Sequence, residues 1–193
     1  MENQHTCYAI NKGKIMLKKL LVLSLASVSA SSVYADSTNT VQFKGEVSTQ
    51  TCSVNINGNE ANPVVLLPTV STSSLATAGA TAGETTFTVN VTGCDVATAD
   101  TAIKTEFAGN NITTNGNLGN TGDAANVSIQ LVDSDATTPL SFASGSIATT
   151  SAMTLATGAD STSQDLIVRY YAEDTGVTAG TVIASAHYAI TYE

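Results

Sequence analysis

Apolar and polar residues alternate with a period of two, run after run, and no stretch keeps a helical period. That pattern puts every second side chain on one face, the mark of a half-buried β-strand. Phe87, Val89 and Val91 alternate with Thr88, Asn90 and Thr92. Ile103 and Phe107 flank Lys104 and Glu106; Val127, Ile129 and Leu131 alternate with Ser128 and Gln130. Leu166, Val168 and Tyr170 share a face. The longest run closes the chain: Val182, Ala184, Ala186, Tyr188, Ile190 and Tyr192. An earlier one places Val41, Phe43, Gly45 and Val47 opposite Gln42, Lys44 and Glu46. Between the runs stand turn formers that tolerate positive φ, such as Asn57-Gly58-Asn59, Gly109-Asn110-Asn111, Asn115-Gly116-Asn117 and Gly119-Asn120-Thr121-Gly122. Many short strands predict an all-β chain built as an antiparallel sandwich. Residues 71–83, rich in Ser, Thr, Ala and Gly, fit either a loop or a short helix. No repeat of 20–50 residues is visible, which excludes a solenoid.

The first 35 residues read differently. Met16-Leu17-Lys18-Lys19 is a short basic start, Leu20 to Val28 is mainly apolar, and Val33-Tyr34-Ala35 offers small residues at the positions a signal peptidase reads. This is the pattern of a secretory signal peptide, and its apolar run is shorter than the about 20 residues a membrane span needs. Residues 1–35 are therefore expected to be an upstream extension and signal, with the start at Met16 and cleavage after Ala35. The alternative is a true start at Met1 and a long signal. The remainder, residues 36–193, suits one domain. It holds three basic side chains (Lys44, Lys104, Arg169) against fifteen acidic ones, a formal charge of −12. So acidic a surface repels nucleic acid and anionic lipid, and no second apolar span occurs, so neither nucleic-acid binding nor membrane insertion is expected of the mature protein. Two cysteines remain, Cys52 and Cys94, and an even count behind a signal peptide predicts one disulfide. A metal or redox pair is the rival, but no CxxC occurs and His187 is the one histidine after the signal.

Catalysis finds little to work with. His187 lies in the last alternating run on the face opposite Tyr188, a solvent-facing strand position. Asp133 and Asp135 are a carboxylate pair of the kind a glycosidase uses, yet Asp133-Ser134-Asp135 before Thr137-Thr138-Pro139 reads as a polar turn, as does Glu173-Asp174-Thr175-Gly176. Loop acids can bind calcium, but no EF-hand spacing is present. No nucleophile elbow, phosphate-binding loop or dinucleotide fingerprint appears. The expectation is a protein that is not an enzyme and needs no cofactor or metal.

The run Val41–Val47 precedes the first cysteine, and the final run ends the chain. A strand at a chain end is either an ordinary edge strand or a donor to another molecule, and Gly45 within it is either a β-bulge or a place where a groove is shallow. Taken in order, several segments resemble the major subunits of chaperone–usher pili, the type 1 fimbrial group. These are Val41-Gln42-Phe43-Lys44-Gly45-Glu46-Val47; Cys52 soon after; Phe87 to Cys94 followed by Asp95; Asn126-Val127-Ser128-Ile129-Gln130-Leu131; Arg169-Tyr170-Tyr171-Ala172; and the penultimate Tyr192 with Gly180 fourteenth from the end. The resemblance covers essentially all of residues 36–193. It implies an incomplete immunoglobulin-like β-sandwich lacking its final strand, completed by donor-strand addition from another subunit. Residues 36–47 would be the donor extension and 48–193 the pilin domain. Val41, Phe43 and Val47 would fill groove pockets, with Gly45 between. Gly180, Val182, Ala184, Ala186, Tyr188, Ile190 and Tyr192 would line the acceptor edge and be read by a periplasmic chaperone; the rival reading of that run is an ordinary core strand. The implied partners are identical or related pilin subunits, that chaperone and an outer-membrane usher. The implied destination is an extracellular fimbria of a Gram-negative bacterium, reached through the periplasm and serving adhesion or biofilm formation. A two-domain tip adhesin is disfavoured by the single domain. A minor subunit, or a self-complete secreted sandwich whose N-terminal run folds back into its own groove, are the remaining alternatives.

Overall fold

A computed structural model describes Gly45, Val47, Ser48, residues 51–143 and residues 147–193. All of these lie in the second of the chain's two units, Lys44–Glu193. The expected signal, Val41 and Phe43 fall outside the described residues.

Among the described residues nine strands run in chain order: β1 Ser53–Ile56, β2 Thr81–Thr92, β3 Thr101–Gly109, β4 Leu118–Gly119, β5 Val127–Val132, β6 Ile147–Thr149, β7 Met153–Leu155, β8 Thr162–Ala172 and β9 Ala186–Tyr192. The single helical element among the described residues is a 3-10 turn at Thr72–Leu75, capped by the Ser71 hydroxyl. Residues 71–83 thus combine that turn with the first residues of β2. One sheet has the order β1-β2-β8-β5-β4. In the other, β3 is central. Its residues Glu106–Ala108 pair with both β6 and β9, so those two strands lie on opposite edges of β3. Every strand pair is antiparallel.

The predicted alternation supplies the core. Phe87, Val89, Val91, Leu166 and Val168 from the first sheet meet Ile103 and Phe107 from the second. The Phe87 and Phe107 rings stand edge to face, centroids 6.4 Å apart, a preferred aromatic geometry. At the end of β1 the predicted Asn-Gly signal makes a two-residue hairpin: Asn57 at φ 51° and Gly58 at φ 79°, with Ile56 and Asn59 exchanging both backbone hydrogen bonds. Two positive φ angles match the right-handed strand twist.

Strand β5 departs from expectation. Ser128 and Gln130, predicted to face solvent, are buried with the rest of the strand. Their polar groups are satisfied by neighbours. Gln130 Nε2 donates to Asn117 Oδ1 at 3.1 Å, Arg169 Nε and Nη2 donate to Gln130 Oε1 at 2.9 and 2.8 Å, and Ser128 Oγ donates to Glu173. A buried strand face can be polar when every group has a partner.

Candidate functional site

Strand β9 pairs with β3 along one side, and no described strand pairs along its other side. Val182, Ala184, Ala186, Tyr188, Ile190 and Tyr192 all turn toward the core but stay half-buried, while Ile183, Ser185, His187 and Ala189 are exposed. The predicted alternation therefore runs the whole way from Val182, although regular pairing begins only at Ala186. Tyr188 sits opposite Phe107 on β3, ring centroids 6.4 Å apart.

A second set of half-buried apolar residues packs against the same core. It comprises Val54 on β1 and Val65 and Leu67 on the extended segment beyond it. The segment is held between Pro63 and Pro68, residues that lack a backbone N–H and belong at sheet edges. Core residues such as Ile103 and Leu166 are completely buried. Residues on the two rims pack against that core yet keep part of their apolar surface open, which leaves favourable burial unrealised.

One end of the site is tied shut. The Cys52–Cys94 disulfide joins the chain just before β1 to the chain just after β2, and the Cys52 backbone N–H donates to the Tyr192 hydroxyl at 3.2 Å. The penultimate tyrosine thus links β9 to the start of the opposite rim. The other end opens into a cavity of about 570 Å³, lined among others by Val70, Leu75, Tyr170, Val177 and Val182. Gly180 is at its wall. A Cβ there would stand 2.6 Å from the Ala124 nitrogen, so the glycine is dictated by close backbone approach.

Of the other sequence candidates, Val47 is fully exposed at 102 %, and a Cβ built at Gly45 would have no neighbour within 4 Å. Neither touches the groove of its own domain. His187 is exposed on β9, as predicted. Asp133 and Asp135 form the predicted polar turn. Asp133 Oδ2 accepts from the Ser151 N–H and hydroxyl at 2.8 and 2.7 Å. Asp135 accepts from Thr138 and Thr137, whose hydrogen bonds hold its carboxyl far below the usual range. Lys104 pairs with Glu193 at 2.6 Å and Arg169 with Glu84 at 2.8 Å. Among the described residues no group of His, Cys, Asp and Glu could hold a metal ion. Sequence reasoning missed the opposite rim, although the apolar Val64–Leu67 between two prolines is a readable strand signal.

A family model for the fimbrial protein matches residues 41–193. The chain belongs to the fimbrial protein family. Its relatives include the F17 fimbrial protein of Escherichia coli, 35% identical over 92% of this chain and 100% of that protein. The major fimbrial subunit SMF-1 of Stenotrophomonas maltophilia is also 35% identical, over 79% of this chain and 91% of that protein. A type I fimbria protein of Burkholderia pseudomallei is similar in structure, with a TM-score of 0.51 and 26% identity over 74% of this chain and 95% of that one. The P pilus rod subunit PapA shares the fold, with a TM-score of 0.54, 18% identity and coverage of 73% and 99%. The two-sheet architecture is the immunoglobulin-like one of pilins, and this fimbrial protein is a structural pilus subunit.

Proposed function

We propose that this subunit polymerises head-to-tail by donor-strand exchange, the N-terminal segment 36–47 of one copy filling the groove between segment 63–67 and β9 of the next. The observation that carries this is two sets of half-buried apolar residues on one core, linked at one end by the Cys52–Tyr192 hydrogen bond and at the other by the cavity, beside an edge of β9 that no described strand pairs. An unpaired edge is a template for strand addition, in which backbone hydrogen bonds give affinity and alternate side chains give register. Val41, Phe43 and Val47 are the inward plugs, each contributing roughly 1.5–3 kcal/mol on burial, and Gly45 passes where the groove is shallow. The exposure of Val47 and the open space around Gly45 support the donor role, since both are available to another molecule. The joint is heterologous and does not close on itself, so it propagates as a filament.

Pilus subunits assemble into extracellular fibres with other pilin subunits. In the proposed route a periplasmic chaperone lends a strand to the same groove first, reading Gly180 to Tyr192 along β9, and an outer-membrane usher hands the subunit on. Adhesion or biofilm formation is the output. The reading assigns the protein no catalytic step, cofactor or metal. Thermal melts of the oxidised subunit lacking residues 36–47 test it, with and without a peptide of those residues. The peptide is expected to raise the midpoint strongly, and a peptide altered at Phe43 and Gly45 to leave it unchanged. A truncated subunit that is already stable and ignores the peptide would mean a self-complete sandwich.

A further inference from the structure

Resting on the donor-strand reading, we propose that the uncharged surface of residues 61–83 and 175–186, on and beside the cavity rim, is a second contact, where the folded body of the neighbouring copy packs. Residues 61–83 and 175–186 contain no Asp, Glu, Lys, Arg or His. The two stretches meet at the cavity, which draws Thr69–Thr72 from one and Val177–Ile183 from the other. Three of the five exposed large apolar side chains among the described residues stand on them: Val64 at 74 %, Leu66 at 82 % and Ile183 at 58 %. The others are Val47, in the donor region, and Val96, beside Asp95. Residues 136–159 are equally uncharged but expose no large apolar side chain among those described. Asp123, bound to the Thr181 hydroxyl at 3.0 Å, marks the border of the neutral area.

Charge argues for the occupant. Copies that each carry a formal −12 after the signal repel wherever their acidic faces meet, within a screening length of roughly 8–10 Å at ordinary salt. A neutral apolar rim is where two such bodies can touch. Chain geometry puts a body there. Every strand pair in this domain is antiparallel, the more stable arrangement. A donor strand antiparallel to β9 ends with Val47 at the Val182 end of the groove, beside the cavity. From Val47 to Cys52 is five residues, a reach of at most about 17 Å. The neighbour's own β1 must then begin within that distance of the Val182 end of the groove, beside the cavity.

Filaments of the full chain carrying Val64→Asp and Leu66→Asp, viewed by electron microscopy, test the contact. The subunits should remain joined end to end in detergent, while the persistence length of the filament falls several-fold. An unchanged persistence length overturns the proposal. If no filaments form, the 36–47 peptide is added to the soluble full-length variant. A midpoint still raised by the peptide shows an intact groove and places the defect at the rim, as proposed. A midpoint that no longer responds shows that these residues serve the groove itself, and overturns it. Failure of the donor-strand reading registers separately, as a wild-type subunit that ignores the peptide.

Discussion

Gly180 and Gly45 have the same side chain and opposite surroundings. At Gly180 the space for a Cβ is already filled by the backbone of Asp123 and Ala124, which belongs to a loop anchored by hydrogen bonds from the Ala124 N–H to the Thr181 carbonyl and from Asn120 to the Ala124 carbonyl. Backbone cannot rotate away as a side-chain tip can. Gly180→Ala should therefore cost about 1–3 kcal/mol, the usual range for overpacking, read as a fall in the melting midpoint of the isolated subunit. Gly45→Ala, with nothing near it, should leave that midpoint unchanged. The sequence placed both glycines in their runs but could not tell them apart, because the atoms crowding Gly180 come from a loop some 56 residues earlier in the chain. Tyr192 was legible as a penultimate aromatic. Its hydroxyl bond to the Cys52 N–H, 140 residues away, was not.

At the scale of elements, period-two alternation located β2, β3, β5, β8 and β9, since each presents one strongly apolar face to the same core. It passed over β1, β4, β6 and β7, which are only two to four residues long and show no period of their own. Its polar set on β5, Ser128 and Gln130, is buried as well. Long-range pairing decides that point, because Glu173 folds over the strand. Burial pushes its carboxyl up, but hydrogen bonds from Ser128, Asn117, Asn115 and Thr113 outweigh this and hold it below the ordinary 4.5. A carboxyl lowered on folding stabilises fully above its unfolded value, and that contribution is lost as the pH falls through the folded one. Glu173→Gln should thus lower the midpoint at neutral pH, and the gap to wild type should narrow as the pH drops below about 4.5. Asp100 and Asp135 are lowered too, by hydrogen bonds from Thr157 and from Thr138 and Thr137. Both are unchanged in the variant, so the narrowing isolates Glu173. Melts of the two proteins across acid pH measure it; parallel curves would mean that the four bonds carry no net preference for the charged form.

At the scale of the whole molecule, the described residues build a core but leave the β9 side of it half-buried, and the proposed cover is on another copy. This is why the sequence could offer Val41–Val47 only as an edge strand or a donor: nothing within one chain distinguishes a strand that pairs at home from one that pairs abroad. A substitution can. Phe43→Asp puts a carboxylate where the proposed joint needs an apolar plug. Burying an unpaired charge costs several kcal/mol, and a joint of three plugs has little other side-chain burial to offset it. The fold of the variant's own domain should not suffer, because in the proposed joint Phe43 is buried in the next copy, and Val47, four residues on, is fully exposed. Cells making Phe43→Asp alone should therefore export no filaments, yet accumulate a subunit that co-purifies with the proposed chaperone, which in that route supplies a strand of its own. Cells making both forms should build short filaments. Each wild-type copy can donate to a variant, but a variant can donate to nothing and so ends the chain it joins. Filament length measured against the variant fraction gives the result directly: a steep shortening fits a donor strand, and full-length filaments containing the variant would show that residue 43 lies outside the joint.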